Sequence, residues 1–210
     1  LPQTEKINFF ILKDYSDVTR HEKEWMMLKE LKKRGLNVPG VLFKSKEKII
    51  LEYVNGLTLL EILEIAEKGN VKPPQFDNTI VCHAFILLFR WLTDFYRFSH
   101  EITGKCTIFG DINFKNFIFS GHRIYGIDLE NCRFGFKEED GGRIIAYLMT
   151  YLPAFTDWKM KLAQDIYHLL VNEFQFIPSL LNKEYKKELN SIHLRRKLFI
   201  PSMANDFFKP

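Results

Sequence analysis

Two short apolar runs, Phe117-Ile-Phe119 and Ile124-Tyr-Gly-Ile127, flank Ser120-Gly-His-Arg123, a polar segment whose glycine can take a positive φ. Both runs are rich in β-branched and aromatic residues and too short for helices, so the pattern predicts an antiparallel hairpin. The hairpin constrains the chain because of what stands at one of its ends. The loop before its first strand carries Asp111 and Asn116, and its second strand runs out at Asp128. Antiparallel pairing brings all three to the same end.

A carboxylate, an amide five residues later and a second carboxylate past the hairpin are oxygen donors of the kind hard divalent cations prefer. Phosphoryl transfer asks a protein mainly to position a hydroxyl and to offset phosphate charge. Asp111 is suited to accept or orient the proton of the hydroxyl, and Asn116 and Asp128 are suited to hold Mg²⁺ or Mn²⁺. Singly, each is also an ordinary turn, cap or strand-end residue. Their order behind one hairpin is what reads as a site.

With 46% hydrophobic and 15% aromatic residues, 210 residues suffice for one core or for two lobes sharing an interface. The net charge of +4 is spread along the chain, so nucleic-acid binding has no particular support. Cys82, Cys106 and Cys132 lack paired metal-ligand spacing, which argues against a disulfide framework or a zinc site and fits a reducing cytoplasm. No signal-peptide pattern opens the chain and no apolar run is long enough to span a bilayer. Because residue 1 is leucine, a native N-terminal segment ahead of it stays open.

Toward the N-terminus, Ile7 to Lys13 alternates as a strand, with Ile7, Phe9, Ile11 and Lys13 on one face. A strand-end lysine reaching for water is the ordinary reading of Lys13. Asp17 to Arg34 reads as a helix capped by Asp17, with an apolar stripe of Trp25, Leu28 and Leu31, and Gly35 ending it. Glu24 lies beside that stripe and can face inward as a partner for Lys13; Glu22 competes for that role. Val38–Phe43 and Lys48–Val54 read as further strands, followed by helices from Thr58 to about Lys68 and Thr79 to about His100, joined by the linker Gly69 to Gln75. After the hairpin a helix is expected from Arg143 to Tyr151, with Asp140 as its cap, and then helices over 156–174 and 180–198. The basic residues of 183–197 read as a solvated helix face, and Pro201 to Pro210 as a docked or frayed tail.

This ordered set resembles the protein-kinase-like phosphotransferases, in the branch of the aminoglycoside and choline kinases, the RIO kinases and the lipopolysaccharide-core sugar kinases. Glu24 to Pro39, ending Gly-Leu-Asn-Val-Pro, is similar to a helix segment of those families, and Leu51-Glu-Tyr-Val-Asn-Gly56 to their hinge. The resemblance implies an α+β, two-lobed fold. Residues 1–54 would form a reduced N-lobe of small antiparallel sheet plus helix, and 55–210 a mostly helical C-lobe carrying the catalytic hairpin. It implies ATP as co-substrate, bound by Lys13 on the phosphates, by Glu24 orienting Lys13, and by the hinge at Glu52, Tyr53 and Val54. It further implies Asp111 as catalytic base, Asn116 and Asp128 as metal ligands, Glu130 as an acidic helper and Asp140 as a buried brace of the catalytic loop.

The chain departs from the family pattern where Phe109 replaces a histidine, where Leu-Glu follows Asp128, and where only twelve residues, none a glycine, precede Lys13. A glycine-rich hairpin over the phosphates does not fit in that length. The expected activity is transfer of the γ-phosphoryl of ATP to a hydroxyl of a small molecule, sugar or protein. A kinase-like pseudoenzyme that binds nucleotide or a partner is the alternative, and a basic helical interaction protein with a chance site is the third reading.

Overall fold

The computed structural model describes residues 9–69, 80–205 and 207–208. The first strand, β1, runs Phe10–Asp14; Ile7 and Asn8 of the expected strand lie outside the described residues. Helix α1 (Val18–Lys33) begins at Asp17, whose side chain accepts from the N–H groups of Thr19 at 2.8 Å and Arg20 at 3.3 Å. Those donors have no partner within the helix, which is why a carboxylate at this position starts it. The stripe buries Leu28 and Leu31 as expected, together with Met27.

Strands β2 (Val41–Lys44) and β3 (Lys48–Glu52) complete a three-stranded antiparallel sheet in the order β1-β3-β2. β2 starts later than expected, after Pro39, which has no N–H to give a ladder. Beyond β3, Tyr53 and Val54 leave the ladder and cross toward the helical part. There β4 (Leu57–Thr58) leads into α2 (Leu59–Lys68), opened by a capping box: Glu61 N–H donates to Thr58 Oγ1 at 3.2 Å and Thr58 N–H to Glu61 Oε2 at 2.7 Å. Asn70 to Gln75 of the linker and Thr79, the expected start of the next helix, lie outside the described residues.

Helix α3 (Ile80–Thr103) buries Phe85, Phe89, Trp91 and Phe95. After β5 (Thr107–Ile108) and a 3-10 turn at Phe114–Asn116 comes the expected hairpin of β6 (Phe117–Ser120) and β7 (Arg123–Gly126), with Phe117 opposite Gly126 and Ser120 opposite Arg123. β4 pairs with the other edge of β6. A second 3-10 turn, Leu129–Asn131, precedes β8 (Arg133–Phe134), which returns to β5.

One expectation needs correction. Helix α4 runs Lys137–Thr150, six residues longer at its start than the expected helix, and Asp140 lies in its first turn rather than at its cap. Gly141 and Gly142 are both helical, and a neighbouring helix and the segment that leads into it come too close there for side chains. A Cβ on Gly142 would stand 2.5 Å from the Tyr185 backbone nitrogen, and one on Gly141 2.7 Å from the Phe176 ring.

That neighbouring helix is α6 (Pro178–Arg196), which follows α5 (Asp157–Asn172). The basic residues of α6 are exposed, as expected of a solvated face. The short α7 (Ser202–Asn205) is docked: the Tyr185 hydroxyl donates to Ala204 O at 2.9 Å and Asn182 Nδ2 to Phe208 O at 2.9 Å. The architecture is α+β, a small antiparallel sheet with one helix on one side and a mostly helical body carrying the hairpin on the other. Among the described residues no helix is long and apolar enough to cross a membrane.

Candidate active site

The period of β1 that puts Ile11 and Lys13 on one face sends both into a cavity of about 300 Å³ between the sheet and the hairpin. Its walls include Glu52 at the end of β3, Tyr53 and Val54 just after it, and Asn116, Ile127 and Asp128 from the hairpin's end. Six of the residues named from sequence thus meet in one cleft. The Glu52 carboxylate is turned elsewhere, accepting from Gly40 N–H at 3.0 Å and from Lys32 Nζ at 3.1 Å, so what Glu52 presents to the cavity is not its charge.

Lys13 Nζ donates to Glu24 Oε2 at 2.6 Å and to Asp128 Oδ1 at 2.7 Å, and stands 3.9 Å from Glu130 Oε2. Glu22, the competitor for Lys13, is taken by Lys44 at 2.7 Å. Glu24 is fully buried, and each of its oxygens is in use: Oε2 accepts from Lys13 and, at 2.5 Å, from the Tyr15 hydroxyl, while Oε1 accepts from Leu129 N–H at 3.1 Å. A buried carboxylate is tolerable on those terms, since it is paired and hydrogen-bonded. Burial would lower the Lys13 ammonium, but Glu24 and Asp128 outweigh it and hold the ammonium above the ordinary lysine range. Burial and then Glu24 push the Tyr15 phenol up, so it remains a donor.

Asp128 adopts φ 66° and ψ 64°, a left-handed conformation costly for any residue with a Cβ. The turn it makes aims Leu129 N–H at Glu24 and brings Glu130 to the same cluster, where one carboxylate oxygen from each of Glu24, Asp128 and Glu130 lies within 4.8 Å of the others. Lys23 Nζ donates to Glu130 O at 3.2 Å, and Arg20 stands 3.6 Å from the Glu130 carboxylate.

The loop bearing Asp111 is held from behind. Asp140 is fully buried and accepts from Phe109 N–H at 2.8 Å, Gly110 N–H at 3.0 Å and the Tyr96 hydroxyl at 3.1 Å. Burial pushes the Asp140 carboxyl up to about 6, against the opposing pull of Gly110 and Phe109 N–H, Arg143 and Tyr96, which leaves it ionised at neutral pH. Arg143 donates to Gly110 O, in the next peptide along. Gly110 sits at φ +84°, where a Cβ would stand 2.4 Å from Asn131 O, so only glycine fits just before Asp111. Phe109 is buried against Trp91, Phe95 and Phe117. Its position is apolar, as its identity implies, and the loop is braced through backbone groups instead.

Asp111 is half-buried, lies outside the cavity wall, and its carboxylate has no protein partner among the described residues. It is tied to the wall by Asn116, whose Nδ2 donates to Asp111 O at 3.2 Å. That bond leaves the Asn116 amide oxygen as its remaining acceptor. Asn116 lines the cavity with Asp128, and Asp128 clusters with Glu130; their amide and carboxylate oxygens are donors of the kind that fit Mg²⁺ or Mn²⁺ and not a soft metal.

Three members of this arrangement escaped sequence reasoning. Tyr15, Arg143 and Tyr96 have no spacing that ties them to their carboxylate or carbonyl partners.

No family model and no curated protein sequence matches the chain. Among solved structures it is similar to aminoglycoside phosphotransferases at 14% identity. The gentamicin complex of APH(2'')-IIa is matched over 90% of this chain and 80% of that one, with a TM-score of 0.46. The streptomycin–ATP ternary complex of APH(2'')-IIa is matched over 88% and 77%, with a TM-score of 0.49. ADP-bound APH(2'')-Ib is matched over 94% and 83%, with a TM-score of 0.48.

Proposed function

We propose that this chain is an ATP-dependent phosphotransferase of protein-kinase-like design that moves the γ-phosphoryl to a hydroxyl of a small molecule, sugar or protein. Residues 1–54 supply the nucleotide-side lobe and 55–210 the helical lobe. The observation that carries the reading is the joining of Lys13, Glu24 and Asp128 at the wall of one cavity that also holds Tyr53, Val54 and Asn116.

In this reading the adenine edge lies against the backbone of Glu52 to Val54, and Lys13, steered by Glu24, contacts the α and β phosphates. Asp111 orients the acceptor hydroxyl and takes its proton as the oxygen attacks the γ-phosphorus in line; the new P–O bond forms and the bond to the β-phosphate oxygen breaks. Asn116 and Asp128, with Glu130 beside them, would hold Mg²⁺ or Mn²⁺, which offsets phosphate charge when bound. Asp140 keeps the Asp111 loop in place through the backbone of Phe109 and Gly110.

Two measurements test the reading. ATP with Mg²⁺ or Mn²⁺ should raise the unfolding temperature, since a ligand at a hundred times its dissociation constant stabilises by about 2.7 kcal/mol. Asp111→Ala should lower turnover roughly 10²- to 10⁴-fold, the usual scale for a lost general base, with the fold intact. Undiminished turnover in both Asp111→Ala and Asp128→Ala would sink the assignment. Phe109 in place of a family histidine favours the second reading, a nucleotide-binding pseudoenzyme; binding of ATP without turnover on any acceptor would select it.

A further inference from the structure

We propose that Lys13 and the divalent cation compete for one set of carboxylates, so that the chain admits the cation only together with nucleotide phosphates. The inference rests on the phosphotransferase reading and concerns how its site is loaded.

The ammonium of Lys13 is seated among Glu24, Asp128 and Glu130, at 2.6, 2.7 and 3.9 Å, the same three residues whose carboxylates each bring an oxygen within 4.8 Å of the others. A cation is therefore already in the place that collects these charges, and it is the chain's own. A divalent ion binding the Asp128 oxygen that Lys13 now holds would face that ammonium at close range, where like charges repel strongly in a partly desolvated cleft. Arg20 already stands 3.6 Å from the Glu130 carboxylate and Lys23 Nζ donates to Glu130 O, so Asp128 is the carboxylate of the cluster for which an incoming cation meets Lys13 as its competitor.

The two partners of Lys13 are not equivalent. Glu24 is fully buried and fixed by the Tyr15 hydroxyl and Leu129 N–H, so it cannot follow a moving lysine. Asp128 is about a third exposed and receives no hydrogen bond besides that of Lys13 among the described residues. Phosphates arriving in the cavity offer Lys13 new oxygens in exchange for Asp128 while it keeps Glu24. Asp128 is then released to the cation, which the phosphates themselves help to hold. Lys13 acts as a plug that nucleotide withdraws.

The test is Mn²⁺ binding, followed by electron paramagnetic resonance of the free ion, with each protein's thermal unfolding recorded alongside. Nucleotide-free wild type should bind Mn²⁺ weakly. Lys13→Met should gain about tenfold or more without nucleotide, because the competing charge is gone, and Lys13→Arg should gain nothing, because it is retained. Should Lys13→Met fail to fold, Lys13→Gln carries the same expectation. Equal affinities in wild type and the neutral variants, or a gain in Lys13→Arg as large as in Lys13→Met, overturns the competition. Titration in the presence of ADP separates this from the parent reading. ADP-dependent Mn²⁺ binding that is lost in Asp128→Asn, without any gain in Lys13→Met, ends the competition and leaves the phosphotransferase reading standing. A gain in Lys13→Met with no ADP-dependent binding in wild type keeps the competition but overturns nucleotide as what relieves it, and with it the phosphotransferase reading.

Discussion

Among the described residues a lysine and a glutamate pair in two places with one of the side chains fully buried, and the two places differ in what surrounds them. Lys159, with a fully buried side chain, reaches Glu67 Oε2 at 3.1 Å, Tyr151 O at 3.0 Å and Pro153 O, and covers the Tyr151 ring at 3.7 Å. Glu67 is completed by the Thr156 hydroxyl at 2.7 Å. One carboxylate meets one ammonium there, and the lysine side chain is closed off from solvent. Burial pulls that ammonium below the ordinary lysine range, with Glu67 opposing. Around Lys13 the balance is inverted: three carboxylates share Lys13 and, at 3.6 Å from Glu130, Arg20, the lysine is 22% exposed, and a cavity begins at its tip. A lysine–glutamate pair thus says little by itself. Unbalanced charge at an opening marks a place where something else is meant to bind, whereas a balanced, closed pair fastens helices α2 and α5.

The sharpest way to break this comparison is to delete each lysine. Lys13→Met should lower turnover roughly 10²- to 10³-fold, the scale of losing one preorganised electrostatic contact, with a small effect on unfolding. Lys159→Met should do the opposite, costing about 3–5 kcal/mol by leaving Glu67 buried without its cation while turnover per folded molecule holds. Denaturant melts and steady-state kinetics on both variants decide it; a Lys159 variant that folds normally but loses turnover would end the distinction.

Neutralising both members of each pair sharpens it further. Lys159→Met with Glu67→Leu should recover much of the lost stability, since a buried ion pair replaced by packed apolar groups is often neutral. Lys13→Met with Glu24→Leu should recover no turnover, because what was removed acted on a substrate. A smaller effect is expected of Tyr15→Phe, which strips one of the three hydrogen bonds to the buried Glu24 carboxylate. It should cost about 1–3 kcal/mol, and loosen the steering of Lys13 enough to raise the KM for ATP before it lowers kcat.

How far these features were legible in sequence follows from the range of the signal. Lys13 and Glu24 could be matched because β1's two-residue period and α1's stripe each aim a side chain inward, and two inward charges of opposite sign need each other. Asp111, Asn116 and Asp128 were legible because one hairpin joins them. Lys159 and Glu67 are 92 residues apart on two helices whose docking no local pattern announces. Asp140 was found as a brace but misplaced in its helix, since Gly141-Gly142 has the local signature of a turn. Those glycines answer to α6, forty residues on, and their helical state is decided by packing. Tyr15, Tyr96 and Arg143 were missed for the same reason: a hydrogen bond to a distant carboxylate leaves no periodicity.

Asp140 extends the comparison to a buried charge balanced mostly by neutral donors, and there the expected effect is smallest and carries two opposite signs. Its carboxyl, pushed up to about 6 by burial, binds a proton in the folded chain at pH values where the ordinary carboxyl, near 3.8, has lost it. Folding is therefore favoured by this group below about pH 4, and that contribution is lost as pH rises through 6. Activity runs the other way, because only the ionised carboxylate has acceptors for both Phe109 and Gly110 N–H, so turnover should fall as pH drops through 6, by at most about tenfold per unit. Removing the Tyr96 hydroxyl, which helps hold the proton off, should move that midpoint upward in Tyr96→Phe, and pH–rate profiles of the two proteins measure it. A midpoint unmoved by Tyr96→Phe would assign the profile to another group and leave Asp140 as a structural carboxylate of the same standing as Glu67.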